Sequence, residues 1–160
     1  LHLGITEAGT PKAGSIRSAV GLGTLLYMGI GDTIRVSLAG DPAEEVDAAY
    51  EILKSLNLRK KGATLIACPS CGRADVDIRA LAETVDRRLR ELGRDIDMKI
   101  AVMGCEVNGP GEGKDADVGI AAGRGRAVIF RKGKKVRVVE EADFFPALME
   151  EIDKVAAGTS

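Results

Sequence analysis

Ile34-Arg35-Val36-Ser37-Leu38-Ala39-Gly40-Asp41-Pro42-Ala43-Glu44 holds a strand, a turn and the start of a helix in one short run. Ile34–Leu38 alternates, placing Arg35 and Ser37 on one face with Ile34 and Val36 on the other. Asp41, Pro42 and Glu44 supply a helix N-cap, a proline at the first helical position and an acid three residues on. Val46, Ala49, Tyr50 and Leu53 then share one side of the helix. Working backwards, Leu1–Thr6 is a short apolar strand and Glu7-Ala8-Gly9-Thr10-Pro11 its loop. A helical pattern starts at Ser15 (Ile16, Ala19, Val20, then Leu22 and Leu26) and stops at Gly29 and Gly31. Two strand–helix units with short loops predict parallel strands. A polar face backed by an apolar one fits barrel strands whose helices pack outside, with catalytic groups at the strands' carboxyl ends. The expected class is α/β, and two such units do not close a barrel.

Working forwards, Asn57-Leu58-Arg59-Lys60-Lys61-Gly62 is a polar, basic hinge, after which the pattern restarts. Ala63–Ala67 is a strand leading into a cysteine pair. Asp77–Leu92 is a helix with Ile78, Leu81, Ala82, Val85, Leu89 and Leu92 at helical spacing, ended by Gly93. Met98–Met103 leads into a third cysteine. Val118–Ala121, Ala127–Arg131 and Lys134–Val139 read as short strands, and Phe145, Leu148, Met149 and Ile152 mark a closing helix. The expected division is 1–60, a partial barrel, and 61–160, a small α+β domain.

Composition sets broad limits. With 160 residues and a net charge of −1, the chain can bury one good core or two modest ones, and no global field points to nucleic acid or an anionic membrane. Apolar runs are broken well before the roughly 20 residues a membrane-spanning helix needs. The first residue is Leu1, already strand-like, so the reading expects a trimmed chain or fragment. Few cysteines and no secretion signal predict a reducing, cytoplasmic setting.

The chemistry gathers at the cysteines. Cys68-Pro69-Ser70-Cys71 and the lone Cys105 each follow an apolar strand, and an odd count cannot be explained by disulfides alone. Two thiolates two residues apart, joined by a third, can hold iron–sulfur or zinc; the pair alone can act as a redox dithiol or rest as buried thiols. His2 is the only histidine and lies far from them in sequence. Glu112, ending the Asn-Gly-Pro-Gly-Glu loop after Cys105, is the candidate fourth ligand. Glu106 is its rival, and a solvated loop acid the plainer alternative. A carboxylate on iron is harder and more exchangeable than thiolate, which allows chemistry at the metal.

Other motifs are less decisive. Arg35 and Ser37 can grip a phosphate at a barrel mouth, or Arg35 can pair with a carboxylate inside it. Glu7, directly after the first strand, is a candidate acid or ion-pair partner. Gly21-Leu22-Gly23 and Gly29-Ile30-Gly31-Asp32 hint at backbone approach to phosphate, but lying in and after a helix they are read as close packing and helix termination. Arg59-Lys60-Lys61 and Arg131-Lys132-Gly133-Lys134-Lys135 read as a solvated hinge and hairpin tip. A weaker reading makes them a docking surface for an acidic electron carrier.

Four stretches in order, 1–9, 29–38, 67–73 and 104–112, resemble the 4-hydroxy-3-methylbut-2-enyl-diphosphate synthase family, reductive enzymes of the non-mevalonate isoprenoid pathway. The resemblance implies the last two β/α units of a TIM-like barrel followed by a small α+β iron–sulfur domain. It implies a [4Fe–4S] cluster on Cys68, Cys71, Cys105 and Glu112. The implied substrate is 2-C-methyl-D-erythritol 2,4-cyclodiphosphate, which is opened reductively and loses a hydroxyl as water. Arg35 and Ser37 match residues that hold its diphosphate, Glu7 a glutamate near the reacting carbons, and Asn108 an asparagine that approaches the substrate. Flavodoxin or ferredoxin would supply electrons, and homodimers are the family rule. The earlier barrel strands are absent, so the 160-residue piece is expected to be inactive alone. Two readings from other classes stay open at this point: a zinc-binding structural module and a C-x-x-C dithiol oxidoreductase.

Overall fold

The computed structural model describes residues 1–60, 62–69, 74, 76–92, 96–105, 111 and 113–158. The chain divides into two compact units, Leu1–Lys61 and Gly62–Ser160.

In the first unit the order is β1 (His2–Gly4), α1 (Pro11–Tyr27), β2 (Thr33–Arg35) and α2 (Pro42–Ser55). β1 and β2 pair in parallel, with His2 opposite Thr33 and Gly4 opposite Arg35. Alternation decides what is buried: Leu3, Ile34, Val36 and Leu38 pack with Leu22, Leu26, Ala48, Ala49 and Ile52 of the two helices. His2, Gly4, Thr33 and Arg35 face outward. Gly21 is a close-approach position, because a Cβ there would lie 2.3 Å from Ile5 Cδ1.

Both helices end in the same way. Gly29 lies at φ 75 and Asn57 at φ 57. Ile30 N–H donates to Leu25 O at 2.9 Å, and Leu58 N–H to Leu53 O at 2.9 Å. These are the reversals that satisfy a helix's last carbonyls with a left-handed residue.

Two expectations differ from the structure. Helix α1 begins at Pro11, not Ser15: Thr10 is extended, Pro11 needs no N–H donor at the first position, and Gly14 N–H closes onto Thr10 O at 2.7 Å. Both strands are shorter than read; after the second, beyond Arg35, the backbone donors go elsewhere. Leu38 N–H donates to Glu45 Oε1 at 2.8 Å and Ala39 N–H to Gly9 O at 2.9 Å. The α2 start is as read, with Asp41 Oδ1 capping Ala43 N–H at 2.9 Å, Pro42 first in the helix and Glu44 in its first turn; Glu45 adds its own bond back to Leu38.

The second unit runs β3 (Thr64–Ala67), α3 (Ile78–Leu92), β4 (Lys99–Met103), β5 (Val118–Ala122), β6 (Arg126–Arg131), β7 (Lys134–Glu140), a 3-10 turn (Glu141–Asp143) and α4 (Phe144–Ala156). The five-stranded sheet has the order β3-β4-β5-β6-β7. β3, β4 and β5 are parallel; β6 and β7 are antiparallel. Ile78, Val85 and Leu89 of α3 and Phe144, Leu148 and Ile152 of α4 share one core with Ile100, Val102, Ile120 and Ile129. On the opposite face Ala101, Met103, Ala116, Ala121 and Phe130 form a thinner layer. Gly119 is required in that layer, since a Cβ on it would stand 2.2 Å from Phe130 Cζ.

Candidate functional site

In the first unit the candidate groups follow the carboxyl ends of two neighbouring parallel strands. Glu7 comes three residues after β1 and holds φ 58. A bulky residue in that left-handed region costs of order 1–3 kcal/mol, and such strain persists only where the surroundings impose it. Arg35 closes β2 opposite Gly4, and a Cβ on Gly4 would lie 3.4 Å from Arg35 Nε. The glycine thus leaves room for the Arg35 side chain beside β1. Ser37, half-buried, lies two residues on. Among the described residues, neither Glu7 nor Arg35 forms an ion pair.

In the second unit Cys68 follows β3 and Cys105 follows β4, at the carboxyl ends of adjacent parallel strands. Both are free thiols, half-buried. Cys68 N–H continues the ladder to Val102 O at 3.1 Å. Its sulfur accepts the Gly104 N–H at 3.1 Å. Gly104 is hemmed in: a Cβ would meet Ile78 Cγ1 at 2.7 Å, Ala74 Cβ at 3.1 Å and Cys68 Sγ at 3.2 Å. Ile78 opens α3, whose start is capped by Asp77 Oδ1 accepting Ala80 N–H at 3.0 Å. The Gly104 N–H is thus a hydrogen-bond donor aimed at the Cys68 sulfur, next to the residue that opens α3. Gly104, in the stretch 104–112, has no role assigned from the sequence. A glycine between a strand's last residue and a cysteine was the available signal.

Cys71, Glu106, Asn108 and Glu112 lie outside the described residues. Among the described residues, no three His, Cys, Asp or Glu side chains converge as a metal site. The donors the structure does describe, soft thiols with a backbone N–H on one sulfur, suit an iron–sulfur group.

The basic hairpin sits at the other end of the sheet. Arg131 pairs with Val118 and Lys134 with Arg131, while Met103, next to the thiols, pairs with Ala121. Lys132, Lys134 and Lys135 therefore lie about four residues along the strands, roughly 13 Å, from the thiol end.

A separate charged cluster holds α4 to the sheet. Buried Glu151 accepts Arg131 Nε at 2.9 Å and Lys154 Nζ at 2.9 Å. Its burial pushes the carboxyl up, but hydrogen bonds from Lys154 and Arg131 outweigh that and the pKa is lowered. Exposed Glu150, bonded first by Lys154 and then by Arg137, is lowered to about 2. Lys154 is raised by the same two glutamates.

Comparison with known proteins places both units. A family model described as the GcpE protein C-terminal domain matches residues 64–154, and one described as the GcpE TIM-barrel domain matches residues 1–50. A protein of Dehalococcoides mccartyi (strain CBDB1) named 4-hydroxy-3-methylbut-2-en-1-yl diphosphate synthase (flavodoxin) is 60% identical over 152 residues, 95% of this chain and 43% of its own length. One of the same name from Geobacter sulfurreducens is 57% identical over 157 residues, 98% of this chain and 44% of its own. A third, from Nitratidesulfovibrio vulgaris, is 56% identical over 158 residues, 98% of this chain and 40% of its own. The chain spans less than half the length of these curated relatives.

Proposed function

The chain belongs to the GcpE protein family, and from that premise we propose that the whole protein of which it is part is a reductive 4-hydroxy-3-methylbut-2-enyl diphosphate synthase. The substrate would be 2-C-methyl-D-erythritol 2,4-cyclodiphosphate, with flavodoxin as electron donor, after the relatives' names. Residues 1–60 would be the last two β/α units of a TIM-like barrel and 61–160 a cluster-binding domain, in a cytoplasmic homodimer. The observation that carries the reading is the free thiol pair at adjacent strand ends, one sulfur held by Gly104 N–H.

Cys68, Cys71, Cys105 and Glu112 would hold a [4Fe–4S] cluster. When bound, such a cluster supplies electrons and a Lewis-acidic iron for C–O cleavage. The protein's own residues do the rest. Arg35, with a fixed charge and a fork of donors, would grip the diphosphate, and Ser37 would add a hydroxyl on the same face. Glu7, held in an imposed backbone conformation, would transfer a proton at its carboxylate to the departing oxygen. Asn108 would contact the substrate.

The test is turnover. The full-length protein, prepared anaerobically with reduced flavodoxin, should convert the cyclic diphosphate to the linear allylic diphosphate, followed by phosphorus NMR. Absence of conversion by cluster-loaded protein overturns the reading.

A further inference from the structure

We infer that Arg17 is a positioning residue for Glu7, holding the loop after β1 in its active shape from the first turns of α1. Arg17 Nη1 donates to Ala8 O at 2.7 Å. Ala8 is buried, 2% exposed, so its carbonyl has no ready replacement for that donor from water. Directly before it, Glu7 sits at φ 58; directly after it, Gly9 sits at φ 109. A loop with two consecutive departures flanking one buried carbonyl is shaped by what bonds that carbonyl. Arg17 is an exposed helix residue, and ordering its long side chain has an entropic cost that a solvated arginine avoids.

The same frame reaches the second candidate group. Gly9 O accepts Ala39 N–H at 2.9 Å, and Leu38 N–H, one residue after Ser37, goes to Glu45 Oε1 at 2.8 Å. Gly14 allows the close fit underneath: a Cβ there would stand 2.6 Å from Leu38 Cδ2 and 3.0 Å from Gly9 O. Glu7 and Ser37 therefore belong to loops joined by one backbone bond, braced by Arg17 from α1 and Glu45 from α2. Loss of the Arg17 donor frees the Ala8 carbonyl and lets Glu7 relax out of its left-handed conformation, displacing its carboxylate from the reacting oxygen. Displacements of about 1 Å can cost up to roughly a hundredfold in rate.

The inference rests on the reading of Glu7 as the proton-transferring residue, so the full-length cluster-loaded protein is tested with both groups varied. Arg17→Met keeps the apolar stem and removes the donors. It should lower kcat by about 10- to 30-fold with KM changed less than about threefold and iron content unchanged. Arg17→Lys, which keeps one donor, should recover part of kcat. Amide exchange at Ala8, Gly9 and Ala39 should quicken in Arg17→Met, a readout independent of turnover. Wild-type kcat in Arg17→Met, or unchanged exchange at those amides, overturns the inference. In parallel, Glu7→Gln should lose kcat by more than Arg17→Met. If Glu7→Gln turns over like wild type, the reading of Glu7 fails and the inference with it. If only Glu7→Gln loses rate, the inference alone fails.

Discussion

The two units solve burial in opposite ways. In residues 62–158 five strands carry helices on one face, and Ile100, Val102, Ile120, Ile129 and Leu148 are fully buried. In residues 1–60 two strands and two helices bury Leu22, Val36 and Ile52, yet leave Ile16 59%, Val20 66% and Tyr27 85% exposed along α1. Those side chains, at i, i+4 and i+11, share one helix face, the kind of stripe that packs against another helix. The difference teaches that local hydrogen bonds, not core mass, shape the first unit's loops. The second unit has a core that suffices.

The widest test separates them. A polypeptide of residues 62–160 should show a cooperative thermal transition by circular dichroism, whereas residues 1–61 alone should show none. A cooperative melt of the short piece breaks the contrast.

Within the second unit, Ile120→Ala should cost about 3–4 kcal/mol in urea unfolding, and Val138→Ala, half exposed at the sheet edge, less than about 0.5 kcal/mol. Equal costs would mean the helix-covered face is not the stabilising one.

Glu151→Gln should destabilise by about 2–3 kcal/mol at pH 7, since it weakens a buried carboxylate's bonds to Arg131 and Lys154. Both Glu150 and Glu151 are lowered in the folded state, so their stabilisation is complete above the ordinary value of 4.5 and is lost as pH falls through the folded values, toward about 2 for Glu150. The gap between wild type and Glu151→Gln should therefore close on acidification below about pH 4.5. A gap that widens there reverses the assigned sign.

A smaller effect is expected from Asn57→Ala in the first unit. The left-handed helix end at φ 57 should make it cost about 1 kcal/mol in a stable full-length context, and Asn57→Gly should be neutral. An alanine variant as stable as wild type would remove that cap from the account.

Legibility in the sequence followed the same divide. Period-two alternation gave the buried face of Ile34 and Val36, and helical spacing gave Ile78, Val85 and Leu89, because burial writes itself into pattern. The start of α1 was hidden, since Pro11 reads equally as loop or first helical residue. The bond from Leu38 N–H to Glu45 was hidden, because only geometry decides which donor an acid in the first helical turn meets. Arg17 looks like any exposed helix arginine, and its bond to Ala8 depends on a loop shape no spacing announces. The thiols stood out by type, but the closeness of Gly104 to Cys68 Sγ depends on how Ile78 and Ala74 pack.

We proposed above that the strand ends bearing Cys68 and Cys105 hold an iron–sulfur cluster. The most direct test of that proposal is iron and acid-labile sulfide in the anaerobically prepared full-length protein, beside Cys105→Ser and Gly104→Ala. About four of each per chain are expected in wild type, near none in Cys105→Ser, and faster iron release to a chelator in Gly104→Ala. Stoichiometric zinc, or a colourless protein that takes up no iron and sulfide on reconstitution, would contradict it.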